Sequence, residues 1–182
     1  MRPLLIGLNL FLIACEEAVP KKSIPAPKAE VVRYRNDSLH FELDIPQEWH
    51  LRINKNNPKS VGFFEPIQDS LDAFQENLVL WQEDIPIDLN DSLYAQAAKT
   101  QLQISQPDIR IKSLGWQALG NDRMDAFQFD FITNDSSRYR VYGYTLLKNR
   151  RGYNFSFSTE LNHAALYESK FKKIIQTFQP NP

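Results

Sequence analysis

From Leu39 to Ser158 the chain falls into eight short runs in which apolar and polar residues alternate, each closed by turn residues, with one helical segment among them and a second after them. A period of two buries one face of a strand, and turns this short join neighbours that run antiparallel. The runs are Leu39–Ile45, Trp49–Ile53, Val61–Phe64, Leu78–Gln82, Ile109–Ala118, Met124–Thr133, Arg138–Leu147 and Tyr153–Ser158. Strands with antiparallel turns and few helices predict an α+β fold.

The first helix is expected over Ser92–Ile104, after capping residues in Asp88–Asp91 and before Pro107, with Leu93, Tyr94, Ala97, Ala98, Gln101 and Ile104 on its small buried face. The second is expected over Ala164–Phe178. There Ala164, Tyr167, Phe171, Ile174 and Phe178 step by three and four, while Glu168, Lys170, Lys172 and Lys173 fall outside the stripe. That stripe needs a sheet to cover.

Strand facing follows from turn length. If Asn134–Ser137 and Asn149–Gly152 are four-residue loops, Thr133 pairs with Arg138 and Lys148 with Tyr153. One face then gathers Phe127, Phe129, Phe131, Tyr142, Tyr144, Leu146, Phe155 and Phe157 for the C-terminal helix. The other collects small and polar residues, among them Ala126, Gln128, Asp130, Val141, Gly143, Thr145, Asn154, Ser156 and Ser158. Either Ala97 and Ala98 of the first helix pack closely on that second face, or part of it stays open as a polar groove. In the open form Gln128, Asp130 and Asn154 hydrogen-bond a partner or sugar-like ligand, with Gly143 and Ser156 between them. An odd-length loop would reverse a strand and divide this set.

The N-terminus supplies an address. Leu4–Ala14 is apolar apart from Asn9 and far shorter than the ~20 residues that cross a bilayer, as expected of a signal-peptide core. Leu12-Ile13-Ala14-Cys15 resembles a bacterial lipobox, with a small residue before the only cysteine of the chain. The resemblance implies cleavage of residues 1–14 and lipidation of Cys15, which places the protein on an extracytoplasmic membrane face; a plain signal peptide with a stray cysteine is the competing reading. Residues 15–31 then form a tether carrying Pro20, Pro25 and Pro27, with a reach of up to ~45 Å at ~3.1 Å per residue. Residues 32–179 form one domain, expected to be monomeric.

Formal charge is −1, from 21 basic and 22 acidic residues, so no positive field is available for nucleic acid. His40, His50 and His163 stand in separate elements without carboxylates or cysteines at ligand spacing, so no metal site is expected. No nucleophile elbow, phosphate loop or dinucleotide glycine pattern occurs among the six glycines. No catalytic residue and no cofactor is implied. The oxygen-rich segment Glu83, Asp84, Asp88, Asn90 and Asp91 could hold Ca²⁺, but capping at a helix start accounts for it more simply. Asp37-Ser38-Leu39, Asp69-Ser70-Leu71 and Asp91-Ser92-Leu93 resemble O-glycosylation sites of some bacterial envelope proteins, at Ser38, Ser70 and Ser92; turns and caps use the same pairs.

Phe41-Glu-Leu-Asp-Ile-Pro-Gln-Glu-Trp49, Asp72-Ala-Phe-Gln-Glu-Asn-Leu-Val-Leu80, Tyr94, Gly152-Tyr-Asn-Phe155 and Phe171-Lys-Lys-Ile-Ile-Gln-Thr-Phe178 together resemble the PsbP/Mog1-like superfamily, in that order and spacing, over nearly the whole domain. The resemblance implies an α/β/α sandwich around a mainly antiparallel sheet, in a group of noncatalytic accessory proteins that includes envelope lipoproteins. No ligand residue of the superfamily matches a position here. The leading expectation is a lipid-anchored, noncatalytic binding or assembly protein of the envelope, held to the membrane through Cys15 and serving an unidentified envelope protein or small ligand. A carrier or sensor of a small apolar or sugar-like ligand is the alternative and requires a true cavity; an enzyme stands third.

Overall fold

The computed structural model describes residues 30–67, 74–85, 89–133 and 136–181. Cys15, most of the tether, Ser70 and Asp88 lie outside the described residues. The elements are β1 (Val31–Asn36), β2 (Phe41–Pro46), β3 (His50–Ile53), β4 (Ser60–Phe64), β5 (Asn77–Asp84), α1 (Asp91–Ser105), β6 (Lys112–Leu119), β7 (Asp122–Ile132), β8 (Arg138–Lys148), β9 (Arg151–Glu160), α2 (Ala164–Ile175) and β10 (Gln179–Pro180).

Each expected strand is present, and the pairs are antiparallel. They form two sheets: seven strands in the order β3-β4-β5-β9-β8-β7-β6, and three in the order β1-β2-β10. One face of the large sheet carries α2 and the small sheet, and the other carries α1. The fold is α+β, as expected, with the small sheet as an addition. Its outer face is held by ion pairs from Arg33 to Asp44 and from Arg35 to Glu42, while Phe41, Leu43 and Ile45 turn inward.

The α2 stripe is the centre of the core. Ala164, Phe171 and Ile174 are buried, Tyr167 is half-buried against the same cluster, and Ile175 joins them. The helix ends at Ile175, three residues earlier than its period suggests, because the chain tightens into turns closed by Thr177 N–H to Ile174 O and Phe178 N–H to Ile175 O. Phe178 still reaches the core. Its ring sits 4.8 Å from Phe155, 5.2 Å from Tyr153 and 5.7 Å from Phe41, so the stripe continues beyond the helix.

Strand facing departs from expectation at one turn. Ile132 pairs with Arg138, so the β7–β8 loop is 133–137, an odd length, and β7 is reversed relative to β8 and β9. Phe127, Phe129 and Phe131 therefore belong to the α1 face. Phe131 stacks on Tyr139 at 5.2 Å and Tyr139 meets Phe74 at 4.4 Å, forming a second aromatic group there. Tyr142, Tyr144, Leu146, Phe155 and Phe157 face α2 as expected, where Met124 and Ala126 take the places assigned to the β7 aromatics.

The β8–β9 turn departs the other way and is shorter than four residues. Lys148 pairs with Arg151, and Asn149 and Arg150 both have positive φ (52° and 60°), the geometry of a tight two-residue hairpin. Shortening from four to two preserves parity. Gly152 is thereby released from the turn and sits in β9.

Candidate functional site

The α1 face is the one with unfinished packing. Helix α1 begins where Asn90 accepts a hydrogen bond from Leu93 N–H at 2.9 Å, and it buries only Tyr94 and Ala95 completely. Leu93 and Ile104, expected on the inner face, are instead 51% and 68% exposed. The helix is fixed at two points. Lys99 Nζ lies 2.7 Å from Oδ2 of the buried Asp125 on β7, and Tyr94 lies on Gly152, where a Cβ would stand 2.1 Å from the hydroxyl oxygen. Only glycine permits this approach.

Beside these fixings α1 stands off the sheet and leaves a cleft of about 530 Å³. Its apolar wall is made by Ile85, Leu89, Ala98, Leu102 and Phe127. Trp81 stands at its mouth, 40% exposed. Helix α1 covers the small-residue face, and Ala97 and Ala98 line a space there rather than closing on the sheet.

The polar end of the cleft is a short chain of hydrogen bonds. Asn154 Nδ2 donates to the Tyr94 hydroxyl oxygen at 2.6 Å, and that hydroxyl donates to Glu83 Oε1 at 2.7 Å. Burial first, and then the bond to Glu83, push the Tyr94 hydroxyl well above its ordinary range, so it stays a protonated donor. With Nδ2 committed, the Asn154 amide presents Oδ1 as an acceptor. That atom and Oγ1 of its cross-strand partner Thr145 are buried, line the cleft, and meet no hydrogen-bond partner among the described residues. Buried polar atoms are normally paired, so two unpaired ones on the floor of one cleft make it the candidate site of the described residues. Tyr94→Phe is expected to cost ~1–2 kcal/mol in denaturant unfolding, since Asn154 Nδ2 keeps only its 3.3 Å contact to Glu83.

The expected groove is divided by the reversed β7. Gly143, Asn154 and Ser156 face α1, whereas Gln128 and Asp130 face the α2 side. There Asp130 is held by Arg140 through bonds of 2.7 and 2.8 Å. Asn154 is therefore the only one of the three proposed hydrogen-bonding residues to line the cleft. Thr145 is expected on this face without a role, and Glu83 only as part of an oxygen-rich segment that could hold Ca²⁺ or cap a helix; no sequence signal marks either as unpaired or convergent. Of that acidic segment, Asp84 pairs with Lys59 and Asp91 with Arg123. Among the described residues no group of three or more His, Cys, Asp or Glu side chains is placed to hold a metal ion. Ser38 and Ser92 are both exposed, in the β1–β2 turn and the first turn of α1.

Several solved structures share this architecture. The cyanobacterial PsbP (CyanoP) of Synechocystis sp. PCC 6803 is 17% identical with a TM-score of 0.62, over 86% of this chain and 95% of CyanoP. The Saccharomyces cerevisiae Ran-binding protein Mog1p is 6% identical with a TM-score of 0.61, over 84% of this chain and 96% of its own. The chain has a PsbP/Mog1-like fold. A third structure with this PsbP/Mog1-like arrangement is LpqN, a protein involved in cell envelope biogenesis of Mycobacterium tuberculosis. It is 12% identical with a TM-score of 0.60, over 84% of this chain and 91% of LpqN. No family model and no curated protein sequence matches the chain.

Proposed function

We propose that this protein is a lipid-anchored, noncatalytic accessory protein of the bacterial cell envelope whose PsbP/Mog1-like domain holds a small ligand in the cleft beneath α1. The observation that carries the ligand reading is the pair of buried, unpartnered atoms, Asn154 Oδ1 and Thr145 Oγ1, on the floor of a largely apolar space of about 530 Å³. The lipobox-like Leu12-Ile13-Ala14-Cys15 supports the anchor, and the likeness to LpqN supports an envelope setting. Two or three acyl chains at ~0.8 kcal/mol per buried CH₂ would hold the protein permanently.

Two measurements test this reading. Cys15→Ala is expected to abolish incorporation of labelled fatty acid and leave an unprocessed precursor; processing and anchoring like wild type would remove the anchor from the proposal. The neutral fluorophore N-phenyl-1-naphthylamine is expected to brighten on binding the cleft, and Ala98→Phe, which fills it, to abolish that signal while the far-UV spectrum is kept. Absence of binding, or binding unaffected by Ala98→Phe, would overturn the ligand reading.

A further inference from the structure

The cleft has a polar end and an apolar length, and its polar atoms are not chemically even-handed. The donors of the Asn154–Tyr94–Glu83 chain are already used: Asn154 Nδ2 on Tyr94, and the Tyr94 hydroxyl on Glu83. What remains is acceptor capacity, in Asn154 Oδ1, the Glu83 carboxylate and the ambivalent Thr145 hydroxyl. Among the described residues no Lys, Arg or His lines the cleft, and Glu83 is the only charged one that does. Away from this end the wall runs along α1 from Tyr94 past Ala98 and Leu102 to Ser105, about 16 Å at 1.5 Å per residue, over Phe127.

We infer that the ligand is an amphiphile with a primary ammonium head group, seated on Asn154 Oδ1, Thr145 Oγ1 and Glu83, with its apolar body lying between α1 and the sheet. An ammonium carries three donors and no acceptor, so it satisfies the free acceptors without needing any donor in return. A sugar head would present several acceptors of its own to a site where the Asn154 and Tyr94 donors are spent and the Thr145 hydroxyl can satisfy only one of them. A carboxylate or phosphate head would meet Glu83 with like charge and no compensating cation. Glu83 is exposed at the mouth, which lets the head group keep part of its hydration while the two buried acceptors replace the rest.

This inference rests on the cleft being a ligand site, and its test separates the two. The chain without residues 1–14 and carrying Cys15→Ala is used, so that neither the apolar leader, a bilayer nor detergent competes. N-phenyl-1-naphthylamine is bound first, then displaced by decylammonium, 1-decanol or decanoate, all below their aggregation limits. Decylammonium is expected to displace the fluorophore at about tenfold lower concentration than 1-decanol, with decanoate weakest. Glu83→Gln retains an acceptor for the Tyr94 hydroxyl but removes the charge, and is expected to erase that advantage. Thr145→Val keeps the side-chain shape, and is expected to weaken decylammonium several-fold while leaving 1-decanol near its wild-type value. Equal or stronger displacement by decanoate or 1-decanol, or an ammonium preference that survives Glu83→Gln, would overturn the head-group assignment with the cleft intact. Failure of the fluorophore itself to bind would remove the site, and the assignment with it.

Discussion

Phe171→Ala is expected to lower the unfolding free energy by ~3–5 kcal/mol, the range for truncating a large core aromatic. The residue is fully buried, and its ring lies 4.7 Å from Phe157, 5.6 Å from Tyr167, 6.0 Å from Tyr142 and 6.5 Å from Trp49. Those neighbours come from α2, β8, β9 and the segment before β3, so the lost ring leaves a cavity that no single element can close by moving. Leu166, on the same helix but 73% exposed, provides the control: Leu166→Ala should stay within ~0.5 kcal/mol. Denaturant unfolding of both variants measures the contrast. A loss below ~1 kcal/mol at Phe171 would mean that the stripe is not the packed face of α2.

The second large effect is expected at Gly143. A Cβ built there would stand 2.2, 2.3 and 2.8 Å from three atoms of the Phe127 ring, so the ring lies across the bare backbone of β8. Phe127 and Gly143 are cross-strand partners, an aromatic covering a glycine. Gly143→Leu is expected to cost at least the ~3 kcal/mol at the upper end of overpacking, because the ring is confined between the sheet and α1. In a Phe127→Ala background the same substitution should cost markedly less, since the added side chain can occupy the vacated space. Additive losses in that double-mutant cycle would show that the two residues do not compete for one volume. Unchanged stability of Gly143→Leu would mean that this face is an open groove.

The periodicity that located the strands and α2 is a local property, and it survives into the structure because each buried side chain repeats its own period. Phe41, Leu43 and Ile45, or Phe155 and Phe157, are buried by alternation alone. Boundaries were less legible. No strand is expected over Val31–Asn36, whose first residue falls in the tether of residues 15–31, because β1 gains its place only by pairing with β2, and β10 has just two residues whose strand character consists of pairing with Glu42 and Phe41. Gly152 was read as part of a turn, which is where glycine is most often needed; its true reason, the Tyr94 ring, lies in a helix 58 positions earlier and leaves no mark on neighbouring residues.

Turn length decided the site. Nothing within Asn134–Ser137 distinguishes a four-residue loop from the five-residue one that includes Thr133, yet the difference of one reverses β7, moving Phe127 beneath α1 and Asp130 to Arg140 on the far face. The eight inner strands, the two helices, the α+β class and the β8–β9 part of the aromatic layer for α2 are legible in the sequence, since alternation and helical stepping are written residue by residue. Which residues face one another across α1 is settled by tertiary packing: Tyr94 occupies the donor of Asn154, Thr145 is left unpaired beside it, and Glu83 is the one charged residue among the described ones that lines the cleft. Hydrogen-bond satisfaction is a property of atoms brought together from β5, α1, β8 and β9, and no segment of the chain contains the information about whether its polar groups will find partners in another.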